Sequence, residues 1–234
     1  MTNRIVVVVV ALVVGAGLYV GATAVEDALT PDPGPGVDGE VVATNTTMHL
    51  DRVGRPTAVG EVINGLDGPI GDATVTVTFR NADGRRDQVA GRTALDTIPS
   101  GGRAPFAVRL ANRSARPSSV DVDVAYERVD ERAYDGLALA SHRVTGRSES
   151  QVTVAGEVEN RGDEPAAAHV VATFYDESGA VVGVRSVPTS PRVLDPGGSG
   201  AFEVRLRTLG DVPSRASEVA RYELTLRAER TEGG

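Results

Sequence analysis

Cysteine, tryptophan and lysine are all absent from this 234-residue chain, and aromatic residues make up only 4% of it. Without cysteine there is no disulfide to staple a core and no thiolate to act as nucleophile or metal ligand. Without lysine, all 24 basic residues are arginine, against 32 acids, for a net charge of −8. That balance, with no basic stripe, argues against a nucleic-acid partner, because phosphate binding draws on clustered positive charge. There is no G-x-S-x-G elbow, no H-E-x-x-H pair and no phosphate-binding glycine loop ahead of a helix. The three histidines, His49, His142 and His169, stand far apart, with no partner at ligand spacing. No catalytic set and no cofactor are implied, and the chain reads as a non-enzymatic protein.

What is present is a repeat. "GEVIN" at residues 60–64 returns as "GEVEN" at 156–160. The similarity extends to "TFRNADG" and "TFYDESG", "IPSGG" and "LDPGG", and "FAVRL" and "FEVRL". An offset near ninety-five residues is too long for a solenoid unit and suits a whole small β-domain. The expected division is an anchor or signal peptide at 1–28, a spacer at 29–39, a first domain at 40–131, a linker at 132–136 and a second domain at 137–234. The closing "TEGG" has no apolar residue and is expected to fray.

Residues 5–25 carry no charge. As a helix, a run of that length crosses about one hydrocarbon core of roughly 30 Å. Arg4 precedes it while Glu26 and Asp27 follow it, which places the N-terminus in the cytoplasm and both domains outside the cell. Ala22-Thr23-Ala24 resembles a signal-peptidase site, so cleavage after Ala24 is the rival to a retained single-pass anchor. Residues 29–40 hold three prolines and three glycines ahead of Glu40, the composition of a spacer.

Beyond it, apolar residues alternate with period two, as half-buried strands require. In the first copy Val75, Val77 and Phe79 share a face, as do Phe106, Val108 and Leu110, and Val122, Val124 and Tyr126. The second copy repeats the pattern with Val152, Val154 and Val158, with Val170, Ala172 and Phe174, and with Phe202, Val204 and Leu206. Turn chemistry separates these strands and no helical stripe competes. The fold class expected is all-β: two tandem antiparallel Ig-like β-sandwich domains behind one N-terminal transmembrane helix.

Gly60 and Gly156 fall on the inward register of their strands, where glycine is unfavourable unless space is needed. Phe79 and Phe174 are expected to fill that space. Asn64 and Asn160 end the same strands, where a short amide can bond the turning backbone.

"GEVEN", "ATFYDESGAVVG" and "LDPGGSGAFEVRL" together are similar to the FxLYD domain, a small Ig-like sandwich of prokaryotic surface proteins. Tyr175-Asp176 matches the signature's Tyr-Asp, while Phe174 stands where the family has Leu and Ala172 where it has Phe. In the first copy Arg80-Asn81 occupies the Tyr-Asp place, so assignment there rests on the repeat. The WHy sandwich of late-embryogenesis proteins is a second resemblance. Neither family implies a catalytic residue. The overall composition, rich in Ala, Val, Gly and acids, resembles that of haloarchaeal proteins.

Three acidic groups, Asp67 with Asp72, Asp130 with Asp135, and Asp163 with Glu164, lack the dense alternation of a calcium loop and read as solvated turns. "RGD" at 161–163 falls in an expected turn. Two sequons would accept glycans on external domains, at Asn45 and Asn112. The function expected is an extracellular binding or structural module of the cell envelope, held to the membrane by its N-terminal helix and contacting an envelope protein. The alternative is a ligand- or calcium-binding accessory subunit of an envelope complex.

Overall fold

The computed structural model describes residues 5–9, 39–51, 53–112, 114–130, 134–207 and 215–230. It is all-β, built from antiparallel sheets, as the period-two alternation requires. The first copy contains β2 (Val41–Leu50), β3 (Pro56–Asn64), β4 (Ile70–Asn81), β5 (Arg86–Arg92), β6 (Thr97–Ile98), β7 (Arg103–Arg109) and β8 (Pro117–Arg128). Strands β2, β3 and β7 form one sheet, and β8, β4 and β5 a second, with β6 beside β4. Val75, Val77 and Phe79 of the second sheet meet Ala58, Val62 and Phe106 of the first in one core cluster, giving a sandwich-like layering.

The second copy contains β9 (Leu137–Ser148), β10 (Gln151–Asn160), β11 (Ala166–Tyr175), β12 (Val181–Leu194), β13 (Ser199–Arg207), a one-turn helix α1 (Arg215–Glu218) and β14 (Arg221–Arg230). Its six strands run in the order β14-β11-β12-β13-β10-β9. Strand β12 ties the halves together, pairing along β11 and touching β13 through Ser190 and Ala201. Val154, Val170, Phe174, Phe202 and Val204 centre a second core cluster.

The expected N-terminal helix is not what the structure shows over residues 5–9. Ile5–Val9 is a strand, β1, paired antiparallel with β8 from Ile5 opposite Tyr126 to Val9 opposite Val122. The physical reason lies in the run itself, since consecutive valines favour extended backbone and β8 offers an edge whose other side is taken by β4. Residues 10–25, residues 29–38 of the spacer and the tail at 231–234 lie outside the described residues. No helix among the described residues is long and apolar enough to cross a membrane.

The turns explain why the strands stop where they do. Asn81 and Asp176 open equivalent hairpins: the Asn81 amide donates to Arg85 O at 2.9 Å and the Asp176 amide to Ala180 O at 3.0 Å. Gly84 and Gly179 each sit at φ +84°, which glycine adopts without strain. Asp176 Oδ1 also accepts from the Ser178 and Ala180 amides, at 2.9 Å each. The β2–β3 turn is held by Asp51, whose Oδ1 accepts the Val53 and Arg55 amides at 2.9 Å and whose Oδ2 meets Arg109 Nε at 2.9 Å. Burial would raise the Asp51 carboxyl, but those amides and the Arg55 guanidinium outweigh it and hold it below the usual carboxylate range.

The repeated glycines have a different partner from the one expected. Gly60 lies directly across from Phe106, and Gly156 across from Phe202. A Cβ on Gly60 would meet Phe106 Cζ at 2.7 Å, and one on Gly156 would meet two carbons of the Phe202 ring at 2.8 Å. Each phenylalanine folds over the glycine opposite it. Phe79 and Phe174 are buried in the two cores, and the ring nearest each glycine is that of Phe106 or Phe202. The sequence shows the need for space, but which aromatic fills it depends on strand pairing.

Candidate functional site: the junction between the two copies

Strand β3 is buried on both faces, which a strand in an isolated two-layer sandwich is not. Ala58, Gly60 and Val62 point into the first core, while Thr57, Val59 and Glu61 point away from it and are buried too. What covers them is the second copy. Val171, Tyr175, Val181 and Val184 of β11 and β12 belong to the same apolar cluster as the first core.

At the centre lies Glu61, 1% exposed, a carboxylate that must be satisfied to be buried at all. The Tyr175 hydroxyl donates to its Oε1 at 2.7 Å, and Asn45 Nδ2 donates to its Oε2 at 3.1 Å. A break in the β2–β3 register at Thr44/Thr47, with Asn45 at φ +52°, accompanies that contact. The same hydroxyl lies 3.1 Å from Glu223 Oε2 on β14. Arg221 pairs with Glu223 and lays its guanidinium over the Tyr175 ring, 3.7 Å from the centroid. At the rim, Arg227 bridges to Asp96 at 2.9 Å and the Thr47 hydroxyl donates to Val181 O.

Burial first, and then the charges of Glu61 and Glu223, push the Tyr175 phenol far above its ordinary range. It therefore stays a proton donor, fixed between two carboxylates. Chemically the arrangement can join surfaces: the Glu61 carboxylate is enclosed, with the Tyr175 hydroxyl on one oxygen and the Asn45 amide on the other.

Asn64 and Asn160 do the same work in each copy. Asn64 Nδ2 donates to the carbonyls of Gly68, Ile98 and Pro99 at 2.9, 3.0 and 3.1 Å, and its Oδ1 accepts the Leu66 amide at 3.1 Å. Asn160 Nδ2 donates to Glu164 O and Leu194 O at 2.8 and 2.9 Å, while its Oδ1 accepts from the Gly162 amide and the Tyr134 hydroxyl. Both side chains are fully buried. Tyr134, in the segment between the copies, thus fastens that segment to the second one. Asn160→Ala is expected to cost about 2 kcal/mol, because it strands buried backbone groups. Chemical denaturation would read this as a lower midpoint at unchanged slope; a wild-type midpoint would remove the corner's role.

No family model matches the chain, and no curated protein matches it in sequence. Among solved structures it is similar to red sea bream transglutaminase, with 12% identity over 81% of this chain and 32% of that one, TM-score 0.24. It is also similar to a calcium-binding mutant of Bacteroides uniformis β-glucuronidase 2 (16% identity, 82% of this chain and 27% of that one, TM-score 0.27). The exo-chitosanase CsxA of Amycolatopsis orientalis stands at 12% identity, 79% and 25% coverage, and TM-score 0.26. The chain spans a third or less of the length of these proteins. Likeness at this level carries neither activity nor substrate to this chain.

The remaining candidate residues are dispersed. His142 Nδ1 lies 2.9 Å from the Tyr222 hydroxyl, with the rings edge to face, and burial raises that phenol. His49 and His169 sit in β2 and β11. Asp72 pairs with Arg92 at 3.0 Å, and no group of three or more His, Asp or Glu among the described residues is placed to hold a metal ion. Both sequon asparagines are exposed, and they differ in their bonds: Asn112 Oδ1 accepts the Ser114 amide at 3.0 Å, whereas the Asn45 amide nitrogen donates to Glu61. Glu61, Glu223 and Arg221 escaped the sequence reading. The one available signal was that "GE" opens both repeat anchors, a glutamate kept next to the glycine in each copy.

Proposed function

We propose that the protein is a non-enzymatic module of the cell envelope: two FxLYD-like, Ig-like sandwiches on a Pro/Gly spacer, tethered to the membrane by residues 5–25 and lying outside the cell. The observation that carries the attachment is the uncharged run itself, with Arg4 before it and Glu26 and Asp27 after it. Its pairing with β8 as a strand does not oppose this. In hydrocarbon a lone segment satisfies its backbone only as a helix, and the same valines that extend in water are tolerated there. The composition supports a salt-adapted setting, and an envelope protein is the partner class that fits an external, non-catalytic module.

The non-enzymatic part is supported by how the best-connected polar site is used. Tyr175, Glu61, Glu223 and Arg221 are spent on joining the copies into one body. Asn112 is the glycan acceptor of this reading, since the Asn45 amide nitrogen donates to the buried Glu61.

Fractionation of cells should leave the chain in the membrane pellet, with its N-terminus ahead of residue 5 by mass spectrometry. A soluble form beginning at Val25 would remove the anchor. Protease added to intact cells should digest both copies, and full protection would reverse the topology.

A further inference from the structure

The junction joins two copies of one fold through different faces, so each copy possesses both faces and one of each is left over. The "GE" anchors make Glu157 the counterpart of Glu61, and the "TF" anchors make Arg80 the counterpart of Tyr175. Register extends the match: Thr78 pairs with Asp121 as Thr173 pairs with Glu223, so Asp121 stands for Glu223. The correspondence is chemical as well. Tyr175 lies on Glu223, and Arg80 is paired through Nε with Asp121.

The uncovered pair of faces has complementary charge at the matching point. Glu157, on β10, is exposed, its Oε1 accepting the Ser199 hydroxyl. Arg80 is half-buried on β4, and Arg86 beside it is exposed. Where the inner junction has a tyrosine facing a glutamate, the outer faces would set an arginine against a glutamate. The surroundings are polar in place of apolar: Arg86 and Gln88 occupy the ladder positions of Val181 and Val184. Glu203 next to this site is already paired with Arg205, and Asp121 with Arg80, which leaves Glu157 on one face and Arg86 beside Arg80 on the other to carry the complementary charge. A contact between copies in different faces does not close on itself, and repeats into a file when the rotation leaves the ends open.

We propose that a second copy of this chain docks head to tail, its Arg80 face on the Glu157 face, continuing between chains the contact that joins the two copies within one. Being polar and solvent-exposed, this outer contact is reversible and weakened by salt, unlike the buried inner one. It stands whether or not the N-terminus is an anchor.

The chain's lack of cysteine makes the test direct. Full-length Arg80→Cys and Glu157→Cys variants, purified in detergent micelles, are mixed under a mild oxidant. The expected product is a disulfide-linked dimer containing one of each variant, and the double variant should give a ladder of linear multimers. Arg86→Cys in place of Arg80→Cys guards against a local effect at the Asp121 pair and should behave alike. Sedimentation without crosslinking gives the second readout: Arg80→Glu or Glu157→Arg alone should weaken association by about fivefold, and mixing the two reversals should restore it. Dimers forming equally well within a single variant would show a symmetric contact and overturn the proposal. So would an internally closed monomer of the double variant, or no crosslink with either arginine site.

Discussion

Gly156→Val is expected to destabilise the second copy by about 3 kcal/mol, the upper end of the usual cost of overpacking. A Cβ at this position would lie 2.1 Å from the Ser141 carbonyl oxygen and 2.8 Å from two Phe202 ring carbons. The ring can shift, but the carbonyl belongs to the paired strand β9 and cannot leave without breaking its ladder. Glu159→Val, three residues along the same strand, should cost less than about 1 kcal/mol. Its side chain is 37% exposed and its ion pair with Arg161 lies at the surface. At Gly60 the obstructing atoms are the Phe106 ring and the Thr46 hydroxyl, all side-chain, so Gly60→Val should fall between the two. Thermal unfolding measures all three, and equal shifts for Gly156→Val and Glu159→Val would contradict the facing of this strand.

Tyr175→Phe is expected to cost about 3 kcal/mol, with the loss concentrated at the junction. The ring stays, so packing and the Arg221 stack survive, while the buried Glu61 carboxylate keeps only the Asn45 amide. Glu61→Gln should cost less, because an amide can still accept from the Tyr175 hydroxyl. Combining Tyr175→Phe with Glu61→Leu should cost less than the sum of the singles by more than about 1 kcal/mol, the mark of a direct interaction. Calorimetry should show the coupled unfolding of wild type separating into two transitions in Tyr175→Phe. A single unchanged transition would mean that the junction does not couple the copies.

The same tyrosine sets a pH dependence. Its folded-state pKa is raised above the unfolded value of about 10, so the unfolded chain loses the proton first. The stabilisation is complete below about pH 10 and is lost as pH rises beyond it, by about 1.4 kcal/mol per pH unit for one such group. Tyr222 adds a smaller share in the same direction. Tyr175→Phe should flatten most of that slope, and an unaltered alkaline limb would place its origin elsewhere.

Much of this was decided locally and so could be read along the chain. Alternation of Val75, Val77 and Phe79 with threonines makes a strand because side chains on successive residues face opposite ways. The hairpins at Asn81 and Asp176 follow from residues within a few positions of each other, and so does the asparagine that ends each anchor strand. The repeat made the second copy legible from the first.

What the sequence could not decide depends on partners far away along the chain. Phe106, not Phe79, covers Gly60, because strand order chooses the neighbour and both phenylalanines carry the same pattern. Residues 5–9 extend as a strand because β8 offers them an edge; the uncharged valine run by itself does not choose between strand and helix. By alternation Glu61 faces away from its own core, and one strand cannot show that its second face will be covered. Only the docking of β11 and β12 onto β3 buries it, and that burial turns an outward carboxylate into the group that holds Tyr175, and with it the second copy, against the first.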